Sequence, residues 1–274
     1  MTAKTKLPNF LIIGAEKAGT TTLYSLLAHH PEVFMCGPKE PRFFSDHNWW
    51  KGVVWYERLF EGAEGYKAIG ETSPAYTWGS AEVPKRIYQT LGDIRYIYIV
   101  RDPIERLISH YRHSVIRGWI EKRIDIEEAI EIVPAIKDCS HYYSQIERYL
   151  SYTNREQWLI FSLESLIQDP FAMQKKILNF IDVDSDIKIE LGHKNATDDV
   201  ILMPRWVRML SEDVKKTVPL PIKKFAKNIF GAPISKPLIS DALRLKLIID
   251  FREEVANLSA FTGIDFFLYW PEYK

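Results

Sequence analysis

The sequence predicts an α/β fold in three layers, with a mainly parallel central sheet of about five strands flanked by helices. Three observations carry that prediction. Short apolar runs at 10–14, 67–71, 96–101 and 158–162 have the length of strands buried on both faces. Segments with helical apolar spacing separate them, the alternation that builds parallel sheets. A run at 32–35 supplies the fifth strand. At 274 residues and 46% apolar content, the chain can bury one substantial core. Residues 1–274 therefore read as a single domain, with a core over about 8–185 and a helical and lid region over about 186–274.

The first strand opens the segment Phe10-Leu-Ile-Ile-Gly-Ala-Glu-Lys-Ala-Gly-Thr-Thr-Thr-Leu23. After Gly14 a loop runs to Gly19, and Leu23, Leu26 and Leu27 then recur at helical spacing until Pro31 stops the helix. The N–H groups of that helix's first turn and the positive end of its dipole face whatever sits in the loop. This is how a protein builds a phosphate cradle, so Lys17, Ala18, Gly19, Thr20, Thr21 and Thr22 are candidate anion ligands. The spacing from Gly14 to Gly19 fits a P-loop-like pattern, but Thr20-Thr21 stand where a nucleoside-triphosphate loop continues Lys-Ser/Thr. The lysine lies inside the loop instead. A donor less charged than a triphosphate needs neither the later lysine nor magnesium.

Between the first strands lies Lys39-Glu-Pro-Arg-Phe-Phe44, where Pro41 biases Glu40 towards extended backbone. Trp49, Trp50, Trp55 and Tyr56 follow; their flat faces suit sugar rings or lipid-like groups, and suit a core equally. The next strand leads into Glu71-Thr-Ser-Pro-Ala-Tyr76 and Val83-Pro-Lys-Arg-Ile87.

The segment Ile97-Tyr-Ile-Val-Arg-Asp-Pro-Ile-Glu-Arg-Leu-Ile-Ser-His-Tyr111 reads as a buried strand feeding a helix. Asp102 is a good N-cap, Pro103 suits the first helical position, and Glu105 completes a capping-box spacing. Ile104, Leu107, Ile108, Tyr111 and Val115 form an apolar face that leaves Arg106, Ser109 and His113 opposite. Ser109 then points towards a ligand at the strand end. Ligands of such folds sit beyond the carboxyl ends of the strands, where both loops lie.

These segments together resemble the sulfotransferases that use 3′-phosphoadenosine 5′-phosphosulfate (PAPS). The first loop resembles that family's 5′-phosphosulfate loop. The resemblance implies that Arg101 and Ser109 hold the 3′-phosphate. Lys39-Glu-x-x-Phe-Phe44 resembles a segment of heparan-type members whose glutamate is the catalytic base, which falls on Glu40. His113 matches a histidine of the N-sulfotransferase branch, as a group that stabilises the transferring sulfonate or as a rival base. The 158–170 and 235–270 segments resemble the family's later elements. The third nucleotide loop should lie near 194–208. There this chain departs from the heparan Lys-Gly-Arg stretch and offers Lys194, Arg205 and Trp206. The implied reaction moves a sulfuryl group from PAPS to a hydroxyl or amine, releasing adenosine 3′,5′-bisphosphate. The likeness favours a carbohydrate acceptor and implies no metal.

Two other readings compete: a P-loop small-molecule kinase, and a non-catalytic nucleotide- or glycan-binding module on the same fold. Competition by adenosine 3′,5′-bisphosphate rather than ADP separates the first, and turnover separates the second.

Lys plus Arg number 36 and Asp plus Glu also 36, so no overall basic field argues for nucleic acid. Cys36 and Cys139 are too few for a disulfide framework and read as buried thiols. Cysteine and histidine spacings show no metal-ligand pattern. Lys4 and Lys6 precede an apolar run only a strand long, with no cleavage site after it. No run approaches the roughly 18 apolar residues of a membrane span, so the expected location is cytoplasmic. In 215–236, Lys215, Lys216, Lys223, Lys224, Lys227 and Lys236 crowd around Phe225, Ile229 and Phe230. That stretch reads as a solvated connector with an amphipathic helix, or as a basic lid or peripheral membrane contact. Oligomeric state is not encoded in any heptad or large apolar stripe.

Overall fold

A computed structural model of the chain describes residues 7–189, 201–202, 232–233 and 237–274. Five parallel strands form its sheet in the order β2-β3-β1-β4-β5, where β1 is Phe10–Gly14, β2 Val33–Met35, β3 Ala68–Thr72, β4 Arg95–Val100 and β5 Trp158–Ser162. The sequence places both bounds of β3 and β4, and the start of β2, one residue away. β1 is central and buried at every position, as its unbroken apolar run requires.

The helices are α1 (Thr20–Leu27), α2 (Val53–Arg58), α3 (Val83–Leu91), α4 (Pro103–Arg117), α5 (Ile126–Ile132), α6 (Ala135–Asp138), α7 (Tyr142–Glu147), α8 (Leu163–Gln168), α9 (Pro170–Phe180) and α10 (Asp241–Thr262). On one face of the sheet, Leu23, Leu26 and Leu27 of α1 join Ile177 and Leu178 of α9 over Phe10, Ile12, Ile97 and Ile99. On the other, α4, α7 and α10 cover Leu11, Ile13, Tyr96 and Tyr98. Three layers result, as predicted. In α10 the buried stripe Leu243, Leu247, Phe251, Val255 and Leu258 recurs at helical spacing. Each such side chain contributes about 1.5–3 kcal/mol by burial. A short antiparallel pair, β6 (Ile201–Leu202) with β7 (Ala232–Pro233), stands apart from the sheet.

The C-terminal residues brace the second loop. The Ile104 N–H at the start of α4 donates to the Tyr273 hydroxyl at 3.3 Å. Trp270 stacks on Phe266 at 5.0 Å, and Arg244 pairs with Glu272 at 2.6 Å. The two cysteines are free and buried, as read from the sequence. No described helix is long and apolar enough to cross a membrane.

Candidate active site

The Gly14–Gly19 loop begins where β1 cannot carry a side chain. A Cβ on Gly14 would stand 2.3 Å from Tyr98 Cε2, and Tyr98 is held by its hydroxyl on Gln145 at 3.0 Å. The chain turns there, with Ala15 N–H donating to the Ile99 carbonyl at 2.6 Å. Lys17 adopts a left-handed φ of 67°, and Gly19, at φ 104°, precedes α1 without any side-chain cap. The amino end of α1 is thus open to the loop. Half-buried Lys17 has its pKa lowered, first by burial. The carboxylates of Glu16 and Glu40 oppose that shift, while Lys39 and Arg117 reinforce it.

Glu40 lies beside this loop in a strained backbone, with φ 60° at Glu40 and 50° at Arg42. The extended conformation expected from Pro41 is not adopted. The flanks override it: Phe43 stacks on Tyr56 at 4.4 Å in the core, Asn48 Nδ2 donates to the Pro41 carbonyl at 2.7 Å, and Arg42 N–H donates to Ser73 Oγ at 3.1 Å. Two cations hold the carboxylate, Lys39 Nζ at 3.2 Å from Oε1 and Arg42 Nη2 at 3.0 Å from Oε2. Burial pushes the Glu40 pKa up, but Lys39 and Arg42 outweigh it and hold the group below the ordinary carboxylate range. Glu40 is ionised and free to accept a proton.

The β4–α4 junction matches its sequence signals in part. Asp102 caps α4 by accepting from Glu105 N–H at 2.8 Å. The reciprocal half of the capping box is replaced, since the Asp102 N–H donates to Glu164 Oε1 at 3.0 Å. Glu105 instead lies 3.5 Å from Arg101 Nη2. Burial, with Glu272, Glu164 and Glu105 nearby, raises Asp102 to about 6 against the N-cap hydrogen bond. Ser109 and His113 are half-buried, one turn apart on α4. His113 is pushed down to about 4 by burial, then by Lys17 and Arg117, with Glu40 opposing. Lys17, Glu40 and His113 therefore converge closely enough to feel one another's charge, and the histidine is neutral at pH 7.

Arg106 does not share the open face with Ser109 and His113. It is 0% exposed. Its Nε donates to Ser140 Oγ at 2.6 Å, one Nη donates to the Glu16 carbonyl at 3.4 Å and to His110 Nδ1 at 3.1 Å, and the other donates to the Ile136 carbonyl. The helical pattern cannot show that α6 packs over this side of α4. The cluster Glu16, His110 and Cys139 places three metal-capable atoms within 4.8 Å of one another. Arg106 donates to His110 Nδ1, so the ring proton lies on Nε2, the nitrogen 4.0 Å from Glu16. That nitrogen is a donor and offers no lone pair to a metal.

Sequence reasoning also missed Lys39, Arg42 and Arg117 as site charges; Lys39 and Arg42 flank Glu40 in the sequence, whereas the approach of Arg117 to Lys17 depends on folding. Tyr56 is fully buried and Trp55 half-buried against the core, whereas Trp50 is 77% exposed. Lys194, Arg205 and Trp206 lie outside the described residues, as does 215–236 apart from β7.

Residues 7–201 match the family model of the sulfotransferase domain, well over half of the chain. The chain belongs to the sulfotransferase family. Among similar proteins, the heparan sulfate glucosamine 3-O-sulfotransferase 5 of Homo sapiens is 30% identical over 203 residues, covering 70% of this chain and 58% of that protein. The bifunctional heparan sulfate N-deacetylase/N-sulfotransferase 4 of Mus musculus is 31% identical over 228 residues, covering 74% of this chain and 25% of the relative. The chain thus spans little more than half the length of the first of these and a quarter of the second. In structure it resembles a sulfotransferase from Alicyclobacillus acidocaldarius, with a TM-score of 0.69 at 22% identity over 94% of this chain and 96% of that one. This sulfotransferase therefore shares the α/β architecture of that protein across nearly its whole length.

Proposed function

We propose that the protein transfers a sulfuryl group from PAPS to a hydroxyl or amine of a saccharide, by in-line displacement at the site of Lys17, Glu40 and His113. The observation that carries this reading is the convergence of those groups beside the open amino end of α1. Lys17 and the N–H groups of Gly19 to Thr22 suit the 5′-phosphosulfate, and Arg101 with Ser109 suits the 3′-phosphate. Lys194, Arg205 and Trp206 remain the candidates for the third nucleotide loop.

The acceptor oxygen or nitrogen attacks sulfur while the bond from sulfur to the 5′-phosphate oxygen breaks. Glu40 takes the acceptor's proton, and Lys17 neutralises charge growing on the leaving oxygen. Because paired cations keep Glu40 a weak base, proton transfer runs late, once the acceptor has been acidified by its new bond to sulfur. His113, neutral, donates one N–H hydrogen bond to the transferring sulfonate. The remaining work is positioning and charge stabilisation, as in phosphoryl transfer. No step is assigned to a metal. The heparan sulfate enzymes among the relatives support a carbohydrate acceptor.

Calorimetric titration with adenosine 3′,5′-bisphosphate, without magnesium, tests the donor site. Micromolar binding by the wild type, weakened in Lys17→Ala and Arg101→Ala, is expected. Binding of ATP that requires magnesium would replace this reading with the kinase.

A further inference from the structure

At the carboxyl end of α4 the chain presents two side chains that neither core nor ion pair accounts for. Trp119 is 61% exposed. It is also held rigidly: Gly118 turns the chain at φ 76°, and the N–H groups of Trp119 and Ile120 both donate to the Ser114 carbonyl, at 2.9 Å and 3.3 Å. Ile120 is buried, which anchors the turn and leaves the tryptophan facing outwards. The indole meets the His113 ring edge to face at 5.6 Å, so it stands at the rim of the reacting centre. Held there, its flat aromatic face is open to stack on a ring-shaped ligand.

Arg117, one turn after His113, is exposed and forms no ion pair with a described residue. Lys39 and Arg42, by contrast, are both engaged by Glu40. Its charge acts on Lys17 and on His113, which places it near the same centre. Trp50, also exposed, already has a cation at its face, because Lys51 lies 5.7 Å from its ring and 4.3 Å from that of Trp55. A flat ring two residues from a guanidinium that forms no ion pair among the described residues suits a cyclic ligand bearing an anion.

We infer that Trp119 and Arg117 form the acceptor subsite, with Trp119 under a pyranose ring and Arg117 on a carboxylate or sulfate borne by that ring or its neighbour. The inference rests on the proposed saccharide sulfotransfer and names the residues that choose its acceptor. Arg117 sets the preference for an acidic sugar, and Trp119 sets affinity for the ring whatever its charge.

The test uses the full chain, PAPS, and an N-sulfated glucosamine–glucuronic acid hexasaccharide beside its carboxyl-reduced form. The wild type should favour the acidic saccharide. Arg117→Ala should raise the acceptor KM about 10- to 100-fold with kcat within about twofold, as loss of a charge-assisted contact predicts. Its preference for the acidic form should vanish, and Arg117→Lys should restore part of it. Trp119→Ala should raise KM for both saccharides, and Trp119→Phe should recover most of the loss. Equal use of both saccharides by the wild type, or variants that shift the donor KM instead, would overturn the inference. Adenosine 3′,5′-bisphosphate binding, measured alongside, separates the two levels. Donor binding with transfer only to neutral acceptors defeats this subsite alone, whereas no donor binding defeats the sulfotransfer reading and the subsite with it.

Discussion

Lys39 Nζ donates to Thr21 Oγ1 at 2.7 Å. The same ammonium lies 3.2 Å from Glu40 Oε1, so one lysine ties the segment carrying Glu40 to the first turn of α1. The strained backbone at Glu40 is held from both sides, by this bridge and by the aromatic core behind Phe43.

Replacing Lys39 therefore changes the titration of Glu40 as well as its position. Lys39 is the largest influence lowering that pKa, so Lys39→Ala should raise it. Glu40 accepts a proton only when ionised, so activity is lost as pH falls through its folded pKa. The acid limb of the kcat/KM profile should move to higher pH in Lys39→Ala, with the fall confined to acid pH, because a carboxylate near its ordinary value stays ionised at pH 7. An unmoved acid limb would show that Lys39 does not govern the base.

Arg106 should matter to fold and donor binding together. Its guanidinium joins the Glu16 carbonyl of the phosphate loop to α4 and to the turn around α6. Arg106→Met leaves several buried acceptors without donors, at about 1–3 kcal/mol each. A total near 3 kcal/mol lowers Tm by about 6–12 °C in a chain of this size. Thermal unfolding with and without adenosine 3′,5′-bisphosphate checks this, and the stabilisation by that ligand should shrink in the variant.

Glu71, fully buried at the end of β3, gives the fold a pH dependence of unusual sign. Burial raises its pKa to about 8, although the Tyr76 and Tyr56 hydroxyls approaching the carboxylate favour the charge. The unfolded carboxyl titrates near its model value of 4.5, so between about pH 4.5 and 8 the folded state holds the extra proton. Stability then falls as pH rises through that window. His110, lowered to about 3, and His113, lowered to about 4, work oppositely, but only below about pH 6.5. Between pH 6.5 and 8 the wild type should lose about 1–2 kcal/mol in denaturant melts, and Glu71→Gln, a neutral isostere, should abolish that slope.

Much of this was legible in the residues because the signals are local. Strand-length apolar runs, the glycines of the first loop and the Asp102-Pro103 start of α4 each depend on neighbours in sequence, and the structure puts each where the pattern says. What the sequence withheld is set by packing between distant segments. Arg106 looks solvent-facing on a helical wheel, yet α6 covers it. Pro41 predicts extended backbone at Glu40, yet anchors at Asn48 and Ser73 impose a left-handed turn. Lys39 and Arg42 flank Glu40 in the sequence, but Lys17 and His113 reach it from distant segments, and no spacing rule joins Lys17 to Arg117.

The most direct measurement is transfer of radiolabelled sulfate from PAPS to the acidic hexasaccharide by wild type and Glu40→Gln, with donor affinity measured on both. The account predicts a labelled saccharide, a rate lower by about 10²- to 10⁴-fold in the variant, and unchanged affinity for adenosine 3′,5′-bisphosphate. Transfer by Glu40→Gln at the wild-type rate would contradict it.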